Sequence, residues 1–291
     1  MPSKPPLQWS KAMEDLFEEH VTNKVRSDNR TDWDENIRLG YPFNVIRQDV
    51  IKKGRADFRE GHEHEKHGSL TAEDKVLLYC FSNMKQHFFE AVATFRAYRR
   101  KLKALFTPDK PTFMVDLGCG PGTAVLALAE CFKQPTVRYA GLDISKAMQN
   151  KARSMFAAAK EGSLLGAQSR ISTTSSWDTL TKFPSGFEMP VNVFINATYL
   201  FASDSLNVDD VCNVVDAFRE SQFVERLLFV YLNTDTTVSG EKYDQFKKSM
   251  RGKFRARRLR TRKVTYNKTR WSNFTSSATF VRQLLDFKGA E

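Results

Sequence analysis

Apolar residues follow two rhythms along this chain. From Leu77 onward, Phe81, Met84, Phe88, Ala91, Phe95, Tyr98, Leu102 and Leu105 recur in steps of four and three, which gathers them on one face of a helix. Thr71 and Asp74 supply a capping arrangement at its start. Lys85, Gln86, Glu90, Arg96, Arg99, Arg100 and Lys103 fall on the opposite, polar face. The spacing predicts one long helix that docks on the part of the chain that follows. Beyond the breakers Pro108 and Pro111, short apolar runs alternate with helical stretches, the mark of parallel strands joined by crossover helices.

The second rhythm places strands at 112–117, 138–143, 170–174, 191–196 and 227–232, and helices at 122–132, 146–159, 208–220 and 241–250. Two further strands, 257–266 and 279–287, end the chain as a hairpin with Trp271, Ser272, Asn273 and Phe274 in its turn. Residues 1–70 read as polar helical pieces, Trp9 to Val25, Trp33 to Ile37 and Val45 to Phe58, with a turn at Gly40-Tyr41-Pro42 and no strand pattern. The expected organisation is an N-terminal helical region over residues 1–106 and an α/β domain over residues 107–291 with a doubly wound, seven-stranded sheet.

Composition narrows this picture. The chain has 291 residues of which 41% are hydrophobic, enough for a sizeable core and too apolar for disorder throughout. No apolar run approaches the ~20 residues of a membrane helix, and the first residues, Met1 to Pro6, carry no hydrophobic leader segment, so a cytoplasmic protein is expected. Cys80, Cys119, Cys131 and Cys212 are scattered without a C-x-x-C pair, which suggests neither a disulfide framework nor a cysteine zinc site.

The chemistry concentrates at the first strand. Val115-Asp116-Leu117-Gly118-Cys119-Gly120-Pro121-Gly122-Thr123 runs from strand through a glycine-rich turn into a helix, where glycines permit a sharp turn and the close approach of a ligand. Asp143, at the end of the next strand and 21 residues after Gly122, is placed to accept the two hydroxyls of a ribose. A dinucleotide fingerprint would need glycine or alanine at Thr123 and would not call for Asp116.

These residues resemble the class I methyltransferases that use S-adenosylmethionine. Asp116 to Gly122 is similar to that family's first motif. Gly141-Leu142-Asp143-Ile144-Ser145, followed by Met148, is similar to its second. The resemblance spans about 113–287. It implies a Rossmann-like seven-stranded sheet with the last strand antiparallel, and S-adenosyl-L-methionine over the carboxyl ends of the strands. It further implies that Gly118, Cys119, Gly120 and Gly122 pack under the methionine part and ribose, and that Asp116 helps hold the amino-acid end. Asp143 would bind the ribose, and Ile144 and Met148 would flank the adenine. Trp177 and Asp178 would contact its edge, and Asn196 would lie at the end of the fourth strand beside the cofactor. The sulfonium makes the methyl group electrophilic already, so aligning a nucleophile and excluding water are the protein's main tasks. No catalytic residue is singled out.

For the acceptor, Tyr199 faces the expected substrate side, although it serves equally as a core aromatic. The formal charge of +11 is concentrated: ten Lys or Arg lie between 251 and 270 with no acid among them, leaving +1 for the rest of the chain. Arg258, Arg260 and Arg262 would share one strand face, opposite Leu259, as a row of guanidinium groups suited to phosphates. A second cluster, Arg96, Arg99, Arg100, Lys101 and Lys103, sits at the end of the long helix. RNA is therefore the expected partner. A small-molecule acceptor enclosed by the N-terminal helices, or a non-catalytic accessory role, is the alternative. His62, His64 and His67 form a histidine loop without an evident scaffold, and no metal is assigned to it. His87 reads as a packed side chain.

Overall fold

The computed structural model describes residues 6–47, 70–106, 112–234, 237–267 and 275–287. Its sheet has eight strands, β1 Thr112–Leu117, β2 Val137–Leu142, β3 Arg170–Thr174, β4 Val191–Thr198, β5 Val224–Asn233, β6 Phe254–Ala256, β7 Arg260–Asn267 and β8 Thr275–Phe287. They run in the order β3-β2-β1-β4-β5-β8-β6, with β7 also paired to β8. The first five are parallel, and β8 is antiparallel to its neighbours. The strand expected at 257–266 forms as β7 from Arg260 onward, and β6 is a separate short strand before it. Between them residues 257–259, two arginines and Leu259, stay exposed, although the Arg257 N–H still donates to the Leu284 carbonyl at 2.9 Å. Leu259 is 41% exposed and does not back the arginine row as expected.

Alternate residues of the strands feed two cores. Met114, Tyr139, Phe194, Leu228 and Val230 point to one face. Phe113, Val115, Val193, Ile195 and Phe229 point to the other. Helices α1 Lys11–Phe17, α2 Ala72–Tyr79, α3 Lys85–Ala97, α5 Thr123–Cys131 and α6 Lys146–Glu161 contribute to the first core. Here α4 is Arg99–Lys103. Helices α7 Trp177–Lys182, α8 Val208–Glu220 and α9 Thr237–Ser249 lie in sequence with the second, to which Leu180, Val211, Val215 and Phe246 contribute. Residues on both sides of position 106 share the first core, where Trp9, Met13 and Phe88 join Met114 and Leu126.

The capping box at Thr71 and Asp74 is present, but the long helix it starts is not uniform. A π turn at Cys80–Met84 separates α2 from α3, and Tyr98 (φ −102°, ψ 12°) breaks the chain before α4. Each π turn adds a residue and rotates the face that follows. The inward face of α3 consequently takes in Phe89, Val92 and Thr94 as well as the predicted stripe, and it takes in Glu90. The assignment of Glu90 to the polar face is corrected: its side chain is fully buried.

In the N-terminal region, where no strand was expected, Ile37–Arg38 pairs with Tyr41–Pro42. Leu39 and Gly40 turn between them with φ of 53° and 82°, as a tight two-residue hairpin turn requires. Of the predicted 45–58 helix, residues 45–47 belong to the helical turn Phe43–Ile46 and its cap Arg47, and 48–58 lie outside the described residues. So do His62, His64, His67, Lys268, Arg270 and the turn at 271–274.

At the far edge, the first half of β8 runs past the end of β5 and pairs with β7 alone. Val264, Tyr266, Ala278 and Phe280 line the buried side of this hairpin, with Tyr266 stacked on Phe89 at 4.8 Å. Thr198, Leu232, Arg282 and Arg260 occupy one straight row of register across β4, β5, β8 and β7.

Candidate active site

The turn after β1 holds its glycines at φ of 71°, 51° and 81° for Gly118, Gly120 and Gly122. These are left-handed values that side chains adopt only with strain. A Cβ on Gly120 would meet nothing within 4 Å, which leaves open space above its backbone. Gly122 caps α5 and lies against Ala152 of α6. It supports the turn without lining the cavity.

Two aspartates organise the loops around this turn. One oxygen of Asp143 accepts the Gly120 N–H at 2.9 Å and the other accepts the Ser145 N–H at 2.9 Å. The carboxylate therefore ties the first loop to the second. Burial raises Asp143 above the usual carboxylate range, against the pull of these two amides. Ser145 then caps α6 by accepting from the Met148 N–H. Asp116 lies deeper. It accepts from the Tyr139 hydroxyl and from Asn196 Nδ2, both at 2.7 Å, and burial pushes it up to about 6. Asn196 is itself held by the Thr198 hydroxyl at 3.0 Å.

These elements enclose a cavity of about 480 Å3 at the carboxyl ends of β1, β2 and β4, within the roughly 300–1,000 Å3 typical of cofactor sites. Of the residues singled out in the sequence, Asp116, Gly118, Cys119, Gly120, Asp143, Ile144, Met148, Trp177 and Tyr199 line it. Three expected residues do not. Gly122 packs behind the turn, Asn196 lies beneath as the partner of Asp116, and Asp178 is exposed in the first turn of α7. Arg258 and Arg260 line a different cavity, and Arg262 lines neither.

Sequence reasoning missed Tyr79, His87 and the stretch from Ser203 to Leu206, which complete the wall. For His87 a signal existed, since Glu90 follows it at i,i+3 on a helix, but the helical period alone had turned Glu90 to solvent.

S-adenosylmethionine fits this cavity. An ionised carboxylate offers about four acceptor positions, so Asp143 can take ribose hydroxyls while keeping both amides. The side chain of Ile144, 63% exposed, presents an uncovered apolar surface beside it. Among the described residues, no cluster of His, Cys, Asp and Glu is arranged to hold a metal, and no helix is long and apolar enough to cross a membrane.

Residues 114–177 match the family model of a methyltransferase domain. No curated protein matches the sequence. Solved structures similar to the chain include precorrin-6y C5,15-methyltransferase from Geobacter metallireducens, at 12% identity and a TM-score of 0.41 over 66% of this chain and 88% of that one. Magnesium protoporphyrin IX methyltransferase from Synechocystis, with bound S-adenosylmethionine, aligns at 13% identity and a TM-score of 0.39 over 85% and 97%. An S-adenosylmethionine-dependent methyltransferase from Anabaena variabilis aligns at 13% and 0.39 over 71% and 96%. The family match falls on the glycine turn and on the Asp143 loop that bonds to it, so residues 114–177 are similar to a methyltransferase domain over the part of the chain that builds the cavity.

Proposed function

We propose that the chain methylates an acceptor presented by RNA or a comparable polyanion. The supporting observation is a second cavity, of about 810 Å3, lined by Arg100, Lys101, Arg257, Arg258, Arg260 and Arg282. It brings the basic end of the long helix against the basic run of the last strands, two clusters 150 residues apart in sequence. Arg260 and Arg282 stand directly opposite each other on paired strands, where like charges repel. Burial lowers Arg282 below the usual guanidinium range, and Arg262 and Arg260 lower it further, against the Tyr98 ring beside it. The acid paired to this wall among the described residues is Asp286, 2.8 Å from Lys101. A phosphate chain would relieve that repulsion with several charge-assisted bonds at once.

In this reading Asp143 orients the ribose, Ile144, Met148 and Trp177 flank the adenine, and Asp116 with Asn196 holds the floor near the amino-acid end. The bound cofactor supplies an electrophilic methyl group. The chain's residues align the acceptor with it and keep water out.

The test is RNA binding across a salt series with the parent and with a variant carrying Arg258→Gln, Arg260→Gln and Arg262→Gln. At about 0.7 per phosphate contact on single strands, the log–log salt slope falls by roughly 2, and affinity drops at least tenfold. Parent-like binding by the variant, with methyl label entering metabolites and not RNA, would favour a small acceptor enclosed by Tyr79, Tyr199 and Leu206.

A further inference from the structure

We propose that His87 is the proton acceptor of the transfer reaction, held in its working tautomer by Glu90. The inference rests on the methyltransferase reading of the first cavity and holds for either class of acceptor.

The Glu90 side chain is fully buried and its partners converge from two elements. Gln86 Nε2 donates to Oε1 at 3.1 Å, the Tyr199 hydroxyl donates to Oε2, and His87 Nδ1 lies 3.3 Å from the same Oε2. Tyr199 reaches back to α3 from a left-handed backbone conformation (φ 63°) just past the end of β4, with its N–H anchored on the Leu232 carbonyl at 2.8 Å. A non-glycine residue in that conformation is held at some cost by its surroundings, a feature that gathers at functional sites. The His87 ring packs on Tyr199 at 4.1 Å between centroids and lines the cavity with it.

A carboxylate accepts only, so it selects the tautomer with the proton on Nδ1 and leaves the Nε2 lone pair as the base. The position suits that role. Asp143 follows β2 and Tyr199 follows β4, with β1 between them, so the two loops lie about 10 Å apart by strand spacing. A cofactor whose ribose were held at Asp143 would have the Tyr199 loop, and the His87 ring packed on it, within that distance. Of the other carboxylates of the wall, Asp116 is buried against Tyr139 and Asn196, and Asp143 is the group that would hold the ribose. Both oxygens of Asp116 and both of Asp143 already accept hydrogen bonds. Asp204, at the rim, is the remaining rival.

The acceptor is then one whose nucleophilic oxygen or nitrogen carries a proton, a hydroxyl or a ring N–H. Its lone pair forms the bond to the methyl carbon while the carbon–sulfur bond breaks and leaves its electron pair on sulfur. The acceptor proton passes to His87 Nε2, and from there to solvent after product leaves. The titratable groups that face His87 are Glu90 on its own helix, Tyr79 at the end of α2, Tyr199 after β4, and Asp116, Cys119, Asp143 and Asp204 across the cavity. Burial raises both tyrosines, so neither competes for the proton near neutrality.

The test uses the full chain as parent, His87→Gln, Glu90→Gln and Asp204→Asn. Three measurements are made: calorimetric binding of S-adenosylhomocysteine, nitrogen-15 spectra of the histidine rings, and single-turnover methyl transfer into fractionated cell extract as a function of pH. The proposal expects His87→Gln to bind S-adenosylhomocysteine within about twofold of the parent and to transfer methyl on the order of 100-fold more slowly. It also expects that variant to lose the parent's rise in rate with pH. Glu90→Gln should convert a pure Nδ1–H ring into a tautomer mixture and give a smaller rate loss. A parent ring protonated on Nε2, a parent-like pH profile in His87→Gln, or loss of the pH dependence in Asp204→Asn alone would overturn the assignment. Absence of S-adenosylhomocysteine binding by the parent would instead remove the cofactor reading on which it rests.

Discussion

Asp116 is the residue at which burial and chemistry meet most directly. Its carboxyl group is pushed up to about 6 because burial penalises the charge more than the bonds from Asn196 and Tyr139 support it. In the unfolded chain the group titrates near 3.8. The folded state therefore binds the proton more tightly, and this group's contribution to stability is fully present below about pH 4. It is lost as pH rises through 6, a change of roughly 3 kcal/mol. Asp116→Asn removes the titration. The stability of the variant relative to the parent should climb by that amount between about pH 3.5 and 7, measured by urea unfolding, whereas a constant difference would contradict it. The acids of the glycine turn and second strand end were legible in the sequence because each stands at a strand end at a fixed distance from the glycine-rich turn. Glu90 was not. Its inward orientation depends on a π turn, which leaves no mark in the order of apolar residues.

Among the elements, α3 carries the most. One side of it meets Trp9, which is 5% exposed, stacks on Phe88 at 4.5 Å and meets Phe89 edge-on at 5.1 Å. The indole Nε1 is buried without a hydrogen-bond partner. Trp9→Ala should cost about 3–5 kcal/mol in urea unfolding. Trp9→Phe should cost far less, since it keeps most of the stacking and removes an unsatisfied donor. Equal losses in the two variants would mean the ring area is not what matters. The central parallel strands β1 and β4 were readable because both of their faces are buried and their runs are mostly apolar. The separation of β6 from β7 was not readable. Arg258, Arg260 and Arg262 alternate in a way that fits a strand, and nothing in that order marks 257–259 as lying between two separate strands.

For the whole molecule, the first described residues tie distant parts together. Leu7 pairs with β7, donating to the Thr265 carbonyl at 2.8 Å and accepting from the Asn267 N–H at 3.0 Å. Three residues later the Ser10 hydroxyl donates to Glu130 on α5 at 2.7 Å. With Trp9 and Met13 in the same core as the sheet, the helical region and the α/β region should unfold in one transition. S-adenosylhomocysteine at 100 times its Kd should raise stability by about 2.7 kcal/mol. Amide exchange should then slow in α3 as well as in the glycine turn. Two separate transitions, or protection confined to the turn, would make the change of sequence pattern at 106/107 a boundary of stability too.

The row of register from Thr198 through Leu232 and Arg282 to Arg260 acts as a ruler. Three strand spacings separate its ends, about 14 Å, and backbone hydrogen bonds fix that length, so side-chain motion does not alter it. On the proposed reading, a polyanion gripped at Arg260 would offer for methylation a position set by this span of about 14 Å. Selection of the methylated position would then depend on counting along the chain as well as on recognising the group that is modified.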